Sequence, residues 1–96
     1  MGIKVNMKAE LLHIGFGGVI AANRILVIVS PDSAPVKRMI RAANEEGLIV
    51  DMTHGRKTKA AIVLDSGHVV LAALQPETIV SRLRQQREKL STDGQD

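Results

Sequence analysis

Apolar and polar positions divide the first third of the chain into two short predicted strands. A first strand is predicted over residues 10–14, and it ends in the segment 15–18, GFGG, whose three glycines indicate a bend or a close backbone approach. The run ILVIV at residues 25–29 consists of Ile, Leu and Val throughout, which predicts a second strand. Turn-forming residues at 30–35, SPDSAP, end this strand.

A helix is predicted after the second strand and extends to about Glu46. Asp32 or Ser33 can accept hydrogen bonds from the first free N–H groups, and Pro35 fits the first turn, where a missing N–H costs nothing. Gly47 is a natural residue to follow its end. Apolar residues recur at helical spacing and form a stripe that faces the sheet: Val36, Met39, Ile40 and Ala43.

The charges of this helix run against the helix dipole. Lys37, Arg38 and Arg41 lie near its start, whereas Glu45 and Glu46 lie near its end. Two explanations remain open: a partner supplies the negative charge, or a solvated helix face tolerates the arrangement at a cost of about a few tenths of a kcal/mol.

Three further strands are predicted over residues 48–53, 58–64 and 68–74, joined as a meander by a basic turn and by the turn at 65–67. The last two strands are apolar on both faces, as is the strand at 25–29. In an antiparallel sheet with one solvent-exposed face, apolar and polar residues should alternate along each strand. The first helix can cover only one face. The second face therefore needs either a C-terminal helix or another subunit.

The C-terminal helix is predicted to begin at Pro76 and has little apolar surface beyond Leu83. We therefore favour a homo-oligomer that buries the rest of the sheet. Side chains of the last strand are the predicted interface: Val70, Ala72 and Leu74. The predicted fold class is α+β, with a mainly antiparallel sheet, a helix after the second strand and a C-terminal helix.

The length of the chain predicts one small domain, and its composition limits the kinds of partner that it can bind. Of the 96 residues, we assign 9–90 to the domain, 1–8 to a flexible extension and 91–96 to a disordered tail. Phe16 is the only aromatic residue, which leaves almost no platform for stacking single-stranded bases. The chain has no cysteine and no long apolar run, so we expect a cytoplasmic protein without disulfides and without a membrane partner.

The most distinctive stretch of the sequence is 53–59, THGRKTK, which we call the basic segment. It reads as a polar hairpin tip in which Gly55 takes the turn position, and Arg56, Lys57 and Lys59 lie there with His54 alongside. Cations without acidic neighbours suit a phosphate backbone, and the 13 basic residues exceed the 10 acidic ones. The simpler alternative is a solubilising turn.

Residue types that could support catalysis or metal binding occur near predicted turns. His54 and Asp51 flank one turn, and Ser66 and His68 flank another, where such residues are common for conformational reasons. The three histidines are isolated, and no cysteine accompanies them. We therefore predict no catalytic residues, no metal site and no cofactor.

Six ordered blocks of the sequence form a recognisable pattern. They are IGFG at 14–17, RI at 24–25, IVSPDSAPVKR at 28–38, THGRKT at 53–58, DSGHV at 65–69 and QPET at 75–78. Together they resemble the RemA family, the extracellular matrix regulatory protein A group of small bacterial DNA-binding regulators, over roughly residues 11–83. Any one block would be weak, but their order and spacing make the match specific.

The resemblance implies a transcriptional regulator of biofilm-matrix genes that forms a ring, a homo-heptamer or homo-octamer, and binds double-stranded DNA around its outside. It also implies a fold similar to the LytTR type of DNA-binding domain. By position, the family's DNA-contacting arginines fall on Arg24 and Arg56, and a third falls on Lys57. Lysine keeps the charge but loses the planar guanidinium, so Lys57 is expected to contact phosphate rather than make bidentate contacts.

Two other functions remain as alternatives to double-stranded DNA binding. A basic hairpin could grip the backbone of duplex RNA, and competition between DNA and RNA would separate the two. A purely structural ring would bind neither nucleic acid.

Overall fold

The computed structural model describes the backbone of residues 11–94 and the side chains of residues 11–86 and 88. Its elements, in chain order, are β1 (Leu11–Gly15), β2 (Gly18–Ala21), a 3₁₀ turn (Ala22–Arg24), β3 (Ile25–Val29), α1 (Ala34–Glu45), β4 (Ile49–Asp51), β5 (Ala60–Leu64), β6 (Val69–Ala72) and α2 (Pro76–Gly94). The predicted extension 1–8 lies outside the described residues. Of the predicted tail 91–96, α2 includes the part up to Gly94, and 95–96 lie outside the described residues.

A hairpin that the sequence pattern did not predict opens the fold. β1 pairs with β2 in antiparallel fashion, and the glycine-rich stretch is the tight turn between them. Phe16 and Gly17 occupy its two central positions with φ values of 53° and 83°, the left-handed conformations of a type I′ turn. The short segment GVIA carries little strand signal because it starts with glycine and has four residues. α1 consequently follows the third strand, not the second.

The remaining strands form one mixed sheet in the order β3-β5-β6-β4. β3 and β6 both pair antiparallel with β5, whereas β4 pairs parallel with β6. The α+β class and the mainly antiparallel pairing are as predicted, but the simple meander is wrong. β6 lies between β4 and β5, so the basic segment is a crossover loop past the end of β6 and not a hairpin tip.

Strand burial agrees with this order. β5 and β6 are the most buried strands, and they occupy the centre of the sheet, where both faces are covered. β4 has three residues and ends in the exposed Asp51, which suits an edge position. The sequence-based prediction assumed that consecutive strands pair, a rule that holds for about two-thirds of strands.

α1 covers one face of the sheet. Ser33 caps the helix by accepting a hydrogen bond from the Val36 N–H at 3.3 Å, and Pro35 lies in its first turn, as predicted. Ala43 is buried against Ala61 and Val69. The predicted apolar stripe packs around them together with residues of the sheet: Val29, Val36, Met39, Ile40, Leu48, Ile49, Val63 and Leu71.

The other face of the sheet is covered within the same chain by the β1–β2 hairpin and α2. The buried side chains of this layer are Leu12, Ile14, Ile20, Ala22, Ala60, Ile62, Val70, Ala72 and Ile79. Arg82 of α2 also donates a hydrogen bond to the His13 carbonyl oxygen at 3.0 Å, which ties the helix to β1. The two-sided apolar sheet thus finds its second cover without another subunit.

The three residues of the predicted oligomer interface lie in this layer or pack against it. Val70 and Ala72 are 1% and 0% exposed, so their side chains offer no accessible surface to a neighbour. Leu74 is partly buried and lies below Gly15, where an added Cβ would be 3.4 Å from the Leu74 Cγ. All three residues belong to the core of the protomer or pack against it.

Candidate nucleic-acid interface

The basic segment begins with a second type I′ turn. The Arg56 N–H donates to the Thr53 carbonyl oxygen at 3.0 Å, and the central residues His54 and Gly55 have φ values of 55° and 80°. A histidine in the left-handed region is uncommon, and Gly55 meets the requirement that the sequence predicted for it. The turn places His54, Arg56 and Lys57 at the exposed surface.

Thr53 anchors this turn to the end of β4. It is buried, and both its N–H and its hydroxyl donate to Asp51 Oδ1, at 2.9 Å and 2.7 Å. The hydroxyl and N–H bonds, with the nearby His54, hold the pKa of Asp51 below its ordinary value. Since the folded state favours the carboxylate, this anchor contributes stability above the ordinary pKa and loses it as the pH falls through the lowered one.

Arg56 lies over the ring of Phe16, which is the only Phe, Tyr or Trp in the sequence. Its Cζ is 3.8 Å from the centroid of the Phe16 ring, and the His54 ring is 6.3 Å from the same centroid. The β1–β2 turn therefore supports the basic segment from below, and the cation–π contact limits where the guanidinium can point. Sequence reasoning missed this role of Phe16, although an aromatic residue between turn glycines is a signal of an exposed ring.

Lys57 and Lys59 border a small concave surface with the loop that follows β3. Its lining includes Ser30, Asp32 and Gln75. The Lys59 N–H donates to the Ala72 carbonyl oxygen at 2.8 Å, which holds the end of the basic segment beside β6. The structure therefore brings four of the predicted site residues to one end of the sheet: His54, Arg56, Lys57 and Lys59.

Arg24 lies at the opposite end of the sheet. It closes the 3₁₀ turn, and its Nη1 is 3.4 Å from Asp65 Oδ1, an exposed ion pair with side chains 62% and 44% accessible. Asp65 follows β5 whereas Lys59 precedes it, so the five residues of that strand, about 15 Å, separate Arg24 from the basic segment. A single protomer does not present Arg24 and Arg56 on one compact patch.

An exposed apolar bulge directly follows Arg24. The register between β3 and β5 shifts between Ile25 and Val27, so Leu26 and Val27 both face outward, 65% and 44% exposed. β3 is also an edge strand of its sheet. Exposed apolar side chains on an edge strand are typical of a surface that pairs with another chain.

The residue pairs considered for catalysis have conformational roles. Ser66 Oγ lies 2.7 Å from His68 Nδ1 and accepts a hydrogen bond from the His68 N–H at 3.4 Å, within the turn between β5 and β6. Asp51 caps the turn of the basic segment, as described above. Among the described residues, no three His, Asp or Glu side chains cluster closely enough to hold a metal ion. Neither described helix is long and apolar enough to cross a membrane.

Comparison with known proteins decides the family. The family model for RemA-like proteins, described as extracellular matrix regulatory protein A-like, matches residues 11–83. The chain belongs to the RemA-like family. The matched RemA-like region spans β1 to the first half of α2 and so contains every candidate site residue.

Named members of the RemA-like family are similar over nearly their whole length. Extracellular matrix regulatory protein A of Bacillus subtilis is 49% identical over 89 residues, which are 93% of this chain and 99% of that protein. A Thermoanaerobacter protein named as a regulatory protein is 50% identical over 84 residues, 88% of each chain. One from Clostridium perfringens is 47% identical over 89 residues, covering 93% of this chain and all of the relative. These names support a regulatory role for the chain.

Proposed function

We propose that this RemA-like protein is a transcriptional regulator that binds double-stranded DNA as a homo-oligomeric ring. The observation that carries the proposal is the basic segment, in which Arg56 is held over Phe16 while Lys57 and Lys59 border a concave surface. Such exposed cations suit the phosphate backbone, which contributes most of the sequence-independent affinity for DNA. Arg24 and His54 complete the proposed contact set.

The separation of Arg24 from Arg56 supports the ring. Two or three cations on one protomer would hold DNA weakly, because exposed charges are screened by salt. In a ring with head-to-tail contacts, the end of one protomer that carries Arg24 would lie near the basic segment of the next. Repeated cations would then follow the curved outer surface, and flexible, bendable DNA would fit best.

The proposed ring contact is the apolar bulge of β3. Leu26 and Val27 are exposed beside Arg24, so a neighbour packed against them would bury apolar surface and also bring its cations close to Arg24. This contact replaces the strand β6 residues that the sequence suggested.

The name of the Bacillus subtilis relative supports a role at extracellular matrix genes. We extend that role to this chain as part of the proposal, with ring formation in a seven- or eight-membered assembly and a cytoplasmic location. The residues proposed for the DNA surface all lie within the region matched to the family.

The direct experiment measures native mass with and without a long AT-rich duplex at several salt concentrations. We expect a ring-sized particle that binds the duplex. If about three protomers each engage two or three phosphates, log K should fall against log salt with a slope on the order of −5 to −8. A ring that ignores DNA, or binds duplex RNA more tightly under the same conditions, would contradict the DNA proposal.

Leu26→Asp is expected to dissociate the oligomer while the protomer stays folded. The side chain is 65% exposed, so the aspartate remains solvated in the free protomer but would place a charge inside the proposed contact. Light scattering reports the mass and circular dichroism the fold. DNA affinity should fall with the mass, because a lone protomer loses the repeated contacts.

The matched control for this variant is Leu11→Asp, on β1, where the native leucine is 56% exposed. It adds the same charge at a similarly exposed leucine away from β3 and should leave the assembly intact. An unchanged ring in Leu26→Asp would show that the contact between protomers lies elsewhere.

A further inference from the structure

A basic cleft separates the start of α1 from the basic segment. It has a volume of about 420 Å³, and three cations line it: Lys37 and Arg41 of α1, and Lys57. Asp32 is the only carboxylate among its lining residues, and Ile40 and Leu71 form part of its floor. The cleft is thus a concave surface with an excess of positive charge.

The position of these cations on α1 is unfavourable in the free protein. Lys37 and Arg41 are four residues apart, which places two like charges side by side on one face of the helix. Lys37 also lies close to the start of the helix, where the dipole already contributes positive potential. No acidic residue occupies the first turn of α1 to offset them. A bound anion would relieve both repulsions.

The cleft is continuous with the proposed DNA surface. Lys57 lines the cleft and also lines the smaller concave surface that Lys59 borders, and Asp32 is likewise shared. A row of cations therefore leads from α1 to Lys57, which follows Arg56 in the chain, and on to Lys59. A backbone carrying regularly spaced phosphates matches a row of this kind better than an isolated anion does.

We propose that the cleft binds phosphate groups of the DNA backbone, and that Lys37 and Arg41 are DNA-contacting residues. The proposal rests on the proposed function and extends the DNA surface from the loops to the first helix. It also accounts for the reversed charge order of α1, since the partner supplies the negative charge that the helix lacks at its start.

The test compares two sets of variants for DNA affinity across a salt series. Lys37→Gln with Arg41→Gln removes both cations but keeps long polar side chains, and it should bind the duplex about tenfold more weakly or worse. The salt slope should lose about 0.9 for each phosphate contact removed. The control is Arg38→Gln, which removes a charge from the same helix but does not line the cleft; it should change affinity less than twofold.

A gain of affinity provides a second measurement that misfolding cannot imitate. Asp32→Asn removes the carboxylate of the cleft while keeping an acceptor for the Ser30 hydroxyl, which lies 3.1 Å from Asp32 Oδ2. We expect this variant to bind DNA about three times more tightly, because a like-charge contact with phosphate is lost.

Three outcomes would overturn the assignment of the cleft. The first is unchanged DNA affinity in the double variant. The second is an equal loss per charge in the double variant and Arg38→Gln, which would indicate net charge alone. The third is no gain in Asp32→Asn. These outcomes differ from a failure of the proposed function. If the proposed function were wrong, the unmodified protein itself would not bind the duplex.

Discussion

Val70→Asp is expected to unfold the protomer rather than only to separate subunits. Val70 is 1% exposed and packs between the β1–β2 hairpin, the sheet and α2. A carboxylate there has no water and replaces a fitted apolar side chain, which should cost on the order of 4 kcal/mol. Small domains are stable by only about 5–15 kcal/mol, so the urea midpoint should fall steeply or the native state should be lost.

Leu26→Asp is the matched comparison for this experiment, because it introduces the same residue at an exposed position. Circular dichroism during urea titration, at one protein concentration, should show a much larger drop in the midpoint for the core variant than for the bulge variant, which loses only the stabilisation that assembly contributes. A folded Val70→Asp protomer that has merely lost its neighbours would place Val70 at a subunit interface and contradict the described core.

The sequence pattern predicts most helices and strands of this protein, but it does not predict what covers the second face of the sheet. The helices and the strands at 25–29, 60–64 and 69–72 follow from periodicity, capping residues and apolar runs. The sequence also shows that the central strands are apolar on both faces. What covers the second face depends on the β1–β2 hairpin, and a four-residue strand that starts with glycine carries too little signal to be predicted.

The order of the strands in the sheet also could not be predicted from the local sequence. β4 and β5 are consecutive in the chain, yet β6 lies between them. Apolar content alone does not decide the central positions, since β3 is as apolar as β5 and β6 but lies at an edge. Pairing between distant strands is a tertiary choice that no turn sequence encodes. The sequence therefore correctly predicted that the basic segment is exposed and that Gly55 lies in its turn. It did not predict that the segment is a crossover loop instead of a hairpin tip.

The candidate site shows a similar division. Charge and turn chemistry identified His54, Arg56, Lys57 and Lys59, and the structure places all four at one end of the sheet. The contact of Phe16 with Arg56 joins residues forty positions apart and depends on the unpredicted hairpin. The separation of Arg24 from this group likewise appears only once the strands are arranged, and it is the reason that we propose a surface repeated over several protomers.

Arg56→Ala is expected to weaken the proposed DNA binding by about a hundredfold at 0.1 M salt while the proposed ring stays intact. Each protomer that touches DNA loses one charge-assisted contact, so about three engaged protomers lose three, and the salt slope should become shallower by about 2.7. The side chain is exposed and lies over the Phe16 ring, so assembly and thermal stability should change little. Fluorescence anisotropy over a salt series measures both quantities.

Arg84→Ala is the control, because it removes an exposed arginine of α2 outside the proposed surface and should leave affinity near that of the unmodified protein.

Phe16→Leu distinguishes the charge of Arg56 from the position of its guanidinium. It keeps Arg56 but removes the ring beneath it, so affinity should fall by about two- to fivefold, as expected for an exposed cation–π contact of about 0.5–1 kcal/mol. Its salt slope should match that of the unmodified protein, because the number of charges at the phosphates is the same. If Arg56→Ala dissociated the ring, its weaker DNA binding would follow from lost assembly, and Arg56 would have a structural role instead of a phosphate-binding one.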